Sequence, residues 1–527
     1  MDCDISANMS RRGLLKGGAV LAASAALASL AGCAPKTRED RWEETRPRTS
    51  TTSSLPGSWD MEADLVAIGG GGAGLAAGIE ARDLGMSAIV LESESMTGGN
   101  SAICNGGMAI PGSALQQQLG IEDSPEAMYE DMIRHFGHDY YDDYVRLMCE
   151  ECSKLYDWLT GFGIQFREES LLATNGHSRR REHHLAPGDA MRTLNQVALD
   201  KGVQIKTDTK VVQLLREESG RVVGCRTEQG AYVKANRGVV LATGGYARNT
   251  DMINQFVLGE GAEAYAKTTY DAIGQDGSGI RMAQAIGVDT RHMDYCSMLT
   301  VQNPDGDNGA ACAIYHLGAV LVNENGERFV NEAQGYTNVW TETNMQPNRV
   351  CFQVWDQAIY DEYRSNDSSY YSMDKVENTG LLLRADTYEE LAALMGVPAE
   401  TFVATMERYN SDVGTSGVDS VMGRAHLNND GPSPLVLNHA PYYAFKTTNV
   451  ICTTYGGLKQ DASQGCLAVD VFGDVVPGLY LAGNVSGYSN MGCNPGTRIA
   501  RNASGTGFGG ALAFGRYCAA QIAQQGN

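Results

Sequence analysis

Six residues, Gly69-Gly70-Gly71-Gly72-Ala73-Gly74, constrain this chain more than any other stretch, because they join two segments of opposite character. Ahead of them Ala63-Asp64-Leu65-Val66-Ala67-Ile68 is a short apolar run that reads as a buried strand. Behind them Leu75-Ala76-Ala77-Gly78-Ile79-Glu80-Ala81-Arg82 reads as a helix. Gly69, Gly71 and Gly74 satisfy the spacing GxGxxG. The three glycines serve, in turn, a tight turn, close approach of the backbone to a pyrophosphate, and close packing of helix on strand. The helix start at Ala73 would turn free N–H groups and a positive dipole end toward the phosphates. A second apolar run, Ser87 to Leu91, ends at Glu92, 23 residues after Gly69, where a carboxylate would accept hydrogen bonds from ribose hydroxyls. Alone, the glycine spacing is weak; between strand and helix, with Glu92 in place, it predicts an α/β chain with a Rossmann-like dinucleotide-binding domain.

At 527 residues there is room for two or three domains, and 62 glycines suit a fold with many close backbone approaches. Acidic residues outnumber basic ones, 63 to 41, for a formal charge of −22, which argues against a nucleic-acid partner. Thirteen scattered cysteines do not make a disulfide framework. Cys149 and Cys152 would share a helix face, which reads as two buried thiols, with metal ligation as the alternative. No metal site is predicted, and no CxxCH haem-attachment motif occurs.

The N-terminus reads as an address. Arg11-Arg12 precedes an Ala/Leu-rich run ending at Leu30-Ala31-Gly32-Cys33. The pair resembles a twin-arginine export signal, and the ending resembles a lipobox in which Cys33 would be acylated. Residues 1–33 are therefore expected to be a signal, and 34–58 a flexible tether. The expected location is outside the cytoplasm, at the cell surface or in the periplasm, with peripheral membrane contact through the lipid.

Further motifs follow in order: Gly98-Gly99-Asn100-Ser101 with Gly106-Gly107; Lys210-Val211-Val212; Val239 to Gly245, containing Ala242-Thr243-Gly244; and Gly274-Gln275-Asp276-Gly277. Then come Gly326-Glu327-Arg328-Phe329-Val330-Asn331-Glu332, Tyr455-Gly456-Gly457-Leu458, and Pro477 to Asn484, closing on Gly483-Asn484. This series resembles the fumarate reductase and succinate dehydrogenase flavoprotein family, from about residue 62 to 524. The resemblance implies non-covalent FAD held by Gly69, Gly71, Ala73, Gly74, Glu92, Gly99, Asn100, Ser101, Gly106, Gly107, Val212, Ala242, Thr243, Gly244, Asp276, Gly483 and Asn484, with Gln275 unremarkable. It also implies a discontinuous FAD domain, 59–298 plus 448–527, with an inserted α+β capping domain, 299–447. Segments 302–310 and 411–434, rich in Gly, Asn, Asp and Ser, read as loops.

The chain departs from the family where substrate would bind. Tyr336 stands where the fumarate reductases have their proton-donating arginine, and Leu299 and Thr453 stand where they have histidines. Arg498 and Arg501 are the two candidates for the family's final arginine. A fumarate-like dianion needs several cations in a dry pocket, so a neutral or weakly charged, larger unsaturated molecule is expected instead. Tyr336 would serve as acid, with Tyr455 or Tyr443 as further donors, resembling the ketosteroid dehydrogenases and, more loosely, reductases of the cardiac-glycoside type. The expected reaction is reduction of an activated C=C bond, with electrons from a membrane-bound quinol or cytochrome donor. Its reverse and an electron-shuttling lipoprotein are the alternatives. His183-His184, after Arg179-Arg180-Arg181, reads as a solvated basic loop, with a substrate mouth as the alternative. Convergence of Cys296, Cys312, Cys351, Cys452, Cys466 and Cys493 on an iron–sulfur cluster lacks a CxxCxxC run to support it.

Overall fold

The apolar run before the glycine turn is strand β1 (Met61–Ile68), buried from Leu65 on. Helix α1 (Gly72–Asp83) follows, then β2 (Ala88–Leu91), and β2 lies parallel to β1 with Leu65 opposite Ala88 and Ile68 opposite Leu91. Such runs are apolar on both faces because helices cover both sides of a parallel sheet. The computed structural model describes residues 55–136, 141–167, 171–173, 176–258, 271–304, 311–364, 373–427, 432–487, 492–493, 500–501 and 503–525, all within the unit Ser50–Asn527. The expected signal 1–33 with Cys33, and the tether up to residue 54, lie outside the described residues.

After α2 (Gly99–Ile103), β3 (Gly107–Ala109) pairs with β4 (Glu182–His184). Strand β5 (Gln204–Lys206) extends the main sheet beyond β2. Strands β6 (Val211–Arg216), β7 (Val222–Thr227) and β8 (Tyr232–Leu241) form an antiparallel meander, and β8 returns parallel to β1.

A second, antiparallel sheet is built from β9 (Cys296–Gln302), β10 (Val320–Val322), β11 (Val350–Asp356), β12 (Leu383–Ala385) and β13 (Tyr442–Thr454). Helix α3 (Tyr336–Asn344) precedes β11. Leu299 pairs with Val450, so the expected domain limits at 298/299 and 447/448 fall within two strands that pair with each other.

Helix α4 (Ala399–Ser416) corrects the loop expected from residue 411. Phe402, Met406, Tyr409 and Val413 form one buried stripe, and that stripe carries the helix through a polar stretch to Gly417, which closes it at φ +73°. Within the other expected loop, 305–310 lie outside the described residues.

The chain then returns to the main sheet through β14 (Gln460–Asp461), β15 (Leu467–Val469) and β16 (Val475–Leu481), and β16 pairs parallel with β8. Helix α5 (Thr506–Gln524) packs on α1, where a Cβ at Gly515 would stand 2.1 Å from the Ala73 carbonyl oxygen. That backbone-to-backbone contact explains why α1 is buried nearly all round and has no polar face.

Candidate functional site

The carboxyl ends of β1, β2 and β8 open into one cavity, where a doubly wound sheet places its ligands. Its wall includes Gly69, Gly71 and Ala73 of the turn, Glu92 after β2, Gly99, Asn100 and Ser101 of α2, Ala242, Thr243 and Gly244 after β8, and Gly483 and Asn484 after β16. The wall also carries the side chains of Glu94 and Lys210, and those of Cys104, Cys452, Thr453 and Asn484, with Asn484 Nδ2 donating to Thr453 Oγ1 at 2.6 Å.

The cradle fits a dinucleotide. A Cβ on Gly71 would enter open space, its nearest neighbour being the Gly98 carbonyl oxygen at 3.9 Å, so the missing side chain leaves room for a ligand. No side chain caps α1, whose first N–H, on Gly72, is accepted by Ser101 Oγ at 3.1 Å. Glu92 Oε2 accepts the Gly70 N–H at 2.7 Å and Oε1 accepts the Glu94 N–H at 2.9 Å, so this carboxylate organises the turn it faces. Thr243 adds a buried hydroxyl with no hydrogen-bond partner among the described residues.

Five expected contacts lie outside the cavity wall. A Cβ on Gly74 would stand 1.8 Å from the Gly69 carbonyl oxygen, so this glycine serves packing of helix on strand. Gly106 and Gly107 pack against Leu185 and Glu182 instead. Val211 lines the wall and Val212 points outward, because neighbouring residues of a strand face opposite ways. Asp276 holds Lys210, which does line the wall, at 2.8 Å. Gln275 is less unremarkable than expected, since it lines the cavity and its Oε1 accepts the Gly245 N–H at 2.6 Å.

Beyond Thr453, on the same stretch of chain, lies Tyr455, only 2% exposed and hydrogen-bonded with Ser297. Burial, and next the neighbouring Tyr336, push its phenol well above the usual range. Tyr336 is the first residue of α3, directly after Gly335 at φ +88°. The two tyrosines, far apart in sequence, are thus near enough in space for Tyr455 to feel the charge of Tyr336, although neither lines the cavity described above.

Tyr443 does not join them: its hydroxyl donates to Gln357 and its ring stacks on Tyr360, within the core of the second sheet. Leu299 packs beside Val330 and Val339. Arg498 lies outside the described residues, as does the Arg501 side chain, whose backbone pairs with Gly492.

The basic loop expected around 179–184 holds for Arg179 and Arg180, which are exposed, and is corrected beyond them. Arg181 is wholly buried and pairs with Asp123 and Asp131, each at 2.7 Å, while His183 is 1% exposed. Cys149 and Cys152 are buried thiols, and burial raises the pKa of both. Cys296, Cys312, Cys351 and Cys466 are likewise buried and free, and the Cys493 side chain lies outside the described residues. Among the described residues no group of three or more His, Cys, Asp or Glu is placed to hold a metal ion.

A parallel sheet that presents a glycine turn, a buried carboxylate facing it and a second cradle after β8 has the build of an FAD-dependent oxidoreductase. The chain belongs to the FAD binding domain family, whose sequence profile matches residues 64–499. It is 27% identical over 492 residues to a fumarate reductase (cytochrome) of Shewanella frigidimarina, covering 92% of this chain and 81% of that protein. It is 26% identical to a digoxin reductase of Eggerthella lenta, covering 93% of this chain and 94% of the other. Among solved structures, the 3-ketosteroid-Δ4-(5α)-dehydrogenase of Rhodococcus jostii RHA1 superposes with a TM-score of 0.69 at 27% identity, covering 90% of this chain and 99% of that one. The family acts on C=C and CH–CH groups.

Proposed function

We propose that the protein is an exported reductase of an activated, uncharged C=C bond, an enone or unsaturated lactone, and not a reductase of fumarate. One observation carries the reading: Tyr336, Thr453 and Leu299 stand where the resemblance places the family's arginine and two histidines, and the buried Tyr455 phenol feels the charge of Tyr336. A buried phenol whose pKa is raised keeps its proton at neutral pH, and donates a hydrogen bond without supplying a charge. Such a site suits a carbonyl oxygen, and it leaves a dianion only Arg498 or Arg501 to offset its desolvation.

FAD, when bound and reduced, supplies the hydride for the β-carbon. Everything else falls to side chains. Tyr455, held with Ser297, would donate to the carbonyl oxygen as charge develops there. Tyr336 would pass its proton to the α-carbon and recover one from solvent. Arg498 or Arg501 would orient the substrate. The dinucleotide would be held by the wall residues from Gly69 to Ala73, with Glu92, Asn100, Thr243 and Asn484. Residues 299–447 would form the cap over this site, with Cys33 lipid-anchored and a membrane quinol or cytochrome as electron source. The reverse reaction, desaturation beside a ketone, is the second reading, favoured by the likeness to the ketosteroid dehydrogenase.

The test is anaerobic. Protein lacking residues 1–33 is reduced with dithionite and viologen, and reoxidation is followed with fumarate, urocanate, cinnamates, steroid enones and unsaturated lactones. Rapid reoxidation by fumarate alone would overturn the proposal. Tyr336→Phe should lower turnover about 100-fold or more, the scale of a lost general acid, while the flavin stays bound.

A further inference from the structure

Tyr336 opens α3, so whatever seats that helix decides how far its phenol reaches. The seat is narrow. Among the described side chains of α3 only Val339 and Thr343 are buried, with Trp340 half-buried against one core of the main sheet. Apolar contacts are non-directional, and they hold a helix down without fixing how far it slides. The Thr343 hydroxyl turns back to the Val339 carbonyl oxygen of its own helix at 2.8 Å. Direction comes from Asn449 of β13, which is wholly buried. Its Nδ2 donates to the Trp340 carbonyl oxygen and to Asn344 Oδ1, each at 2.9 Å. Its Oδ1 accepts from Thr300 Oγ1 at 2.6 Å, and Thr300 is the residue opposite Asn449 in the pairing of β9 with β13. A carbonyl oxygen can only accept, so the atom facing Trp340 must be the amide nitrogen. Both amide hydrogens are therefore aimed at α3, and the amide oxygen at β9. The same strand reaches the cavity: four residues on from Asn449, Thr453 lines the wall and accepts from Asn484. One stretch of chain thus carries part of the cofactor cavity, the buried Tyr455 and the amide that grips the helix of Tyr336.

We infer that Asn449 is a positioning residue that sets the register of α3, and with it the reach of Tyr336, against the cavity wall. The inference rests on Tyr336 serving as the acid. A proton donor works only within hydrogen-bond reach, and a displacement of about 1 Å can cost about 100-fold in rate. The hydrogen bonds of one buried amide resist such a displacement, because a slide of α3 would leave buried donors and acceptors unpaired. Asn449 itself does not line the cavity, so it acts through α3 and not on the cofactor.

Asn449→Leu removes both donors. Thr300→Val, of nearly the same shape as threonine, removes only the hydroxyl that holds the amide oxygen, and it serves if the first variant does not fold. Each is compared with wild type as FAD-loaded protein under anaerobic conditions. Dithionite should reduce the flavin at the wild-type rate, with FAD content unchanged. Reoxidation by the steroid enone or unsaturated lactone that wild type reduces fastest should slow about tenfold or more in Asn449→Leu and less in Thr300→Val, in kcat with little change in KM. In a Tyr336→Phe background neither substitution should slow it further. Wild-type kcat in both variants, a full additional loss in the Tyr336→Phe background, or an equal slowing of flavin reduction would overturn the inference. Wild-type turnover in Tyr336→Phe alone strikes the acid assignment instead, and the positioning role with it. Hydrogen exchange needs no substrate: the backbone amides of α3 should lose protection in Asn449→Leu while those of α4 keep theirs. Unchanged protection of α3 would sink the inference whichever substrate is reduced.

Discussion

At the scale of single residues, two glycines of one motif carry different loads, and alanine separates them. At Gly71 the added methyl enters the cavity and meets no protein atom closer than 3.9 Å. Gly71→Ala should fold within about 1 kcal/mol of wild type, yet bind FAD at least about tenfold more weakly, by titration of the apoprotein. At Gly74 the methyl would strike the Gly69 carbonyl oxygen at 1.8 Å. Gly74→Ala should lose about 3 kcal/mol of stability even without flavin, seen in thermal melts of the apoprotein. Glu92→Ala removes a charged acceptor from the Gly70 N–H and should cut FAD affinity at least about tenfold. Much of this was legible, because backbone turns and ligand contacts impose residue types at fixed spacing. What spacing does not encode is which way a strand side chain points, and so Val211, not Val212, faces the cavity. Asn449 was missed for a related reason: an isolated asparagine between Thr448 and Val450 signals nothing until folding buries it.

At the scale of elements, the approach to Tyr336 is fixed by a buried ionic lattice. Glu332 accepts from Arg328 at 2.7 Å, from Arg424 at 3.2 Å and from the Leu321 N–H at 2.8 Å, while Arg328 also pairs with Asp419 at 2.7 Å. All four charged side chains are buried, and four residues on from Glu332 α3 begins at Tyr336. Glu332→Gln would leave Arg328 with Asp419 alone and the buried Arg424 guanidinium with only backbone carbonyls, among them those of Ala319 and Tyr315. It should cost about 3 kcal/mol in denaturant unfolding, and a fall of less than about 1 kcal/mol would show that the lattice carries little of the stability. The segment from Gly326 to Glu332 was visible as a motif, but its partners Asp419 and Arg424 were not. They fall in a stretch whose composition reads as loop, and only the three-dimensional meeting of residues 328, 332 and 424 gives them a role. The same blindness turned Arg181 into a surface charge, since a run of arginines looks alike whether solvent or Asp123 and Asp131 receives it.

At the scale of the whole molecule, buried groups tilt stability with pH in opposite directions. His183 Nδ1 faces the Arg181 carbonyl oxygen and its Nε2 faces Ser113 Oγ, each at 2.7 Å, an arrangement that suits the neutral ring. His177 is set between the Ser504 carbonyl oxygen at 2.8 Å and the Arg181 guanidinium at 3.1 Å. Burial lowers both rings to about 4, helped at His177 by Arg181. An unfolded histidine takes up its proton near pH 6.5 and the folded ones do not, so the unfolded state gains protons as pH falls. This contribution is intact above about pH 6.5 and is lost between there and about pH 4. Asp271, a buried carboxyl in the cavity wall, works the other way, because its folded pKa is raised: it costs stability as pH climbs from about 4 toward 8. A wild-type stability curve therefore mixes both slopes, and a difference between variants is needed to separate them. His183→Gln can keep a donor and an acceptor but cannot titrate. Relative to wild type it should gain about 2 kcal/mol between pH 7 and pH 5, measured by urea unfolding of the apoprotein at each pH. An unchanged difference between the two pH values would mean that His183 is protonated in the folded protein, and the neutral cluster tying residues 113, 181 and 183 together would have to be abandoned.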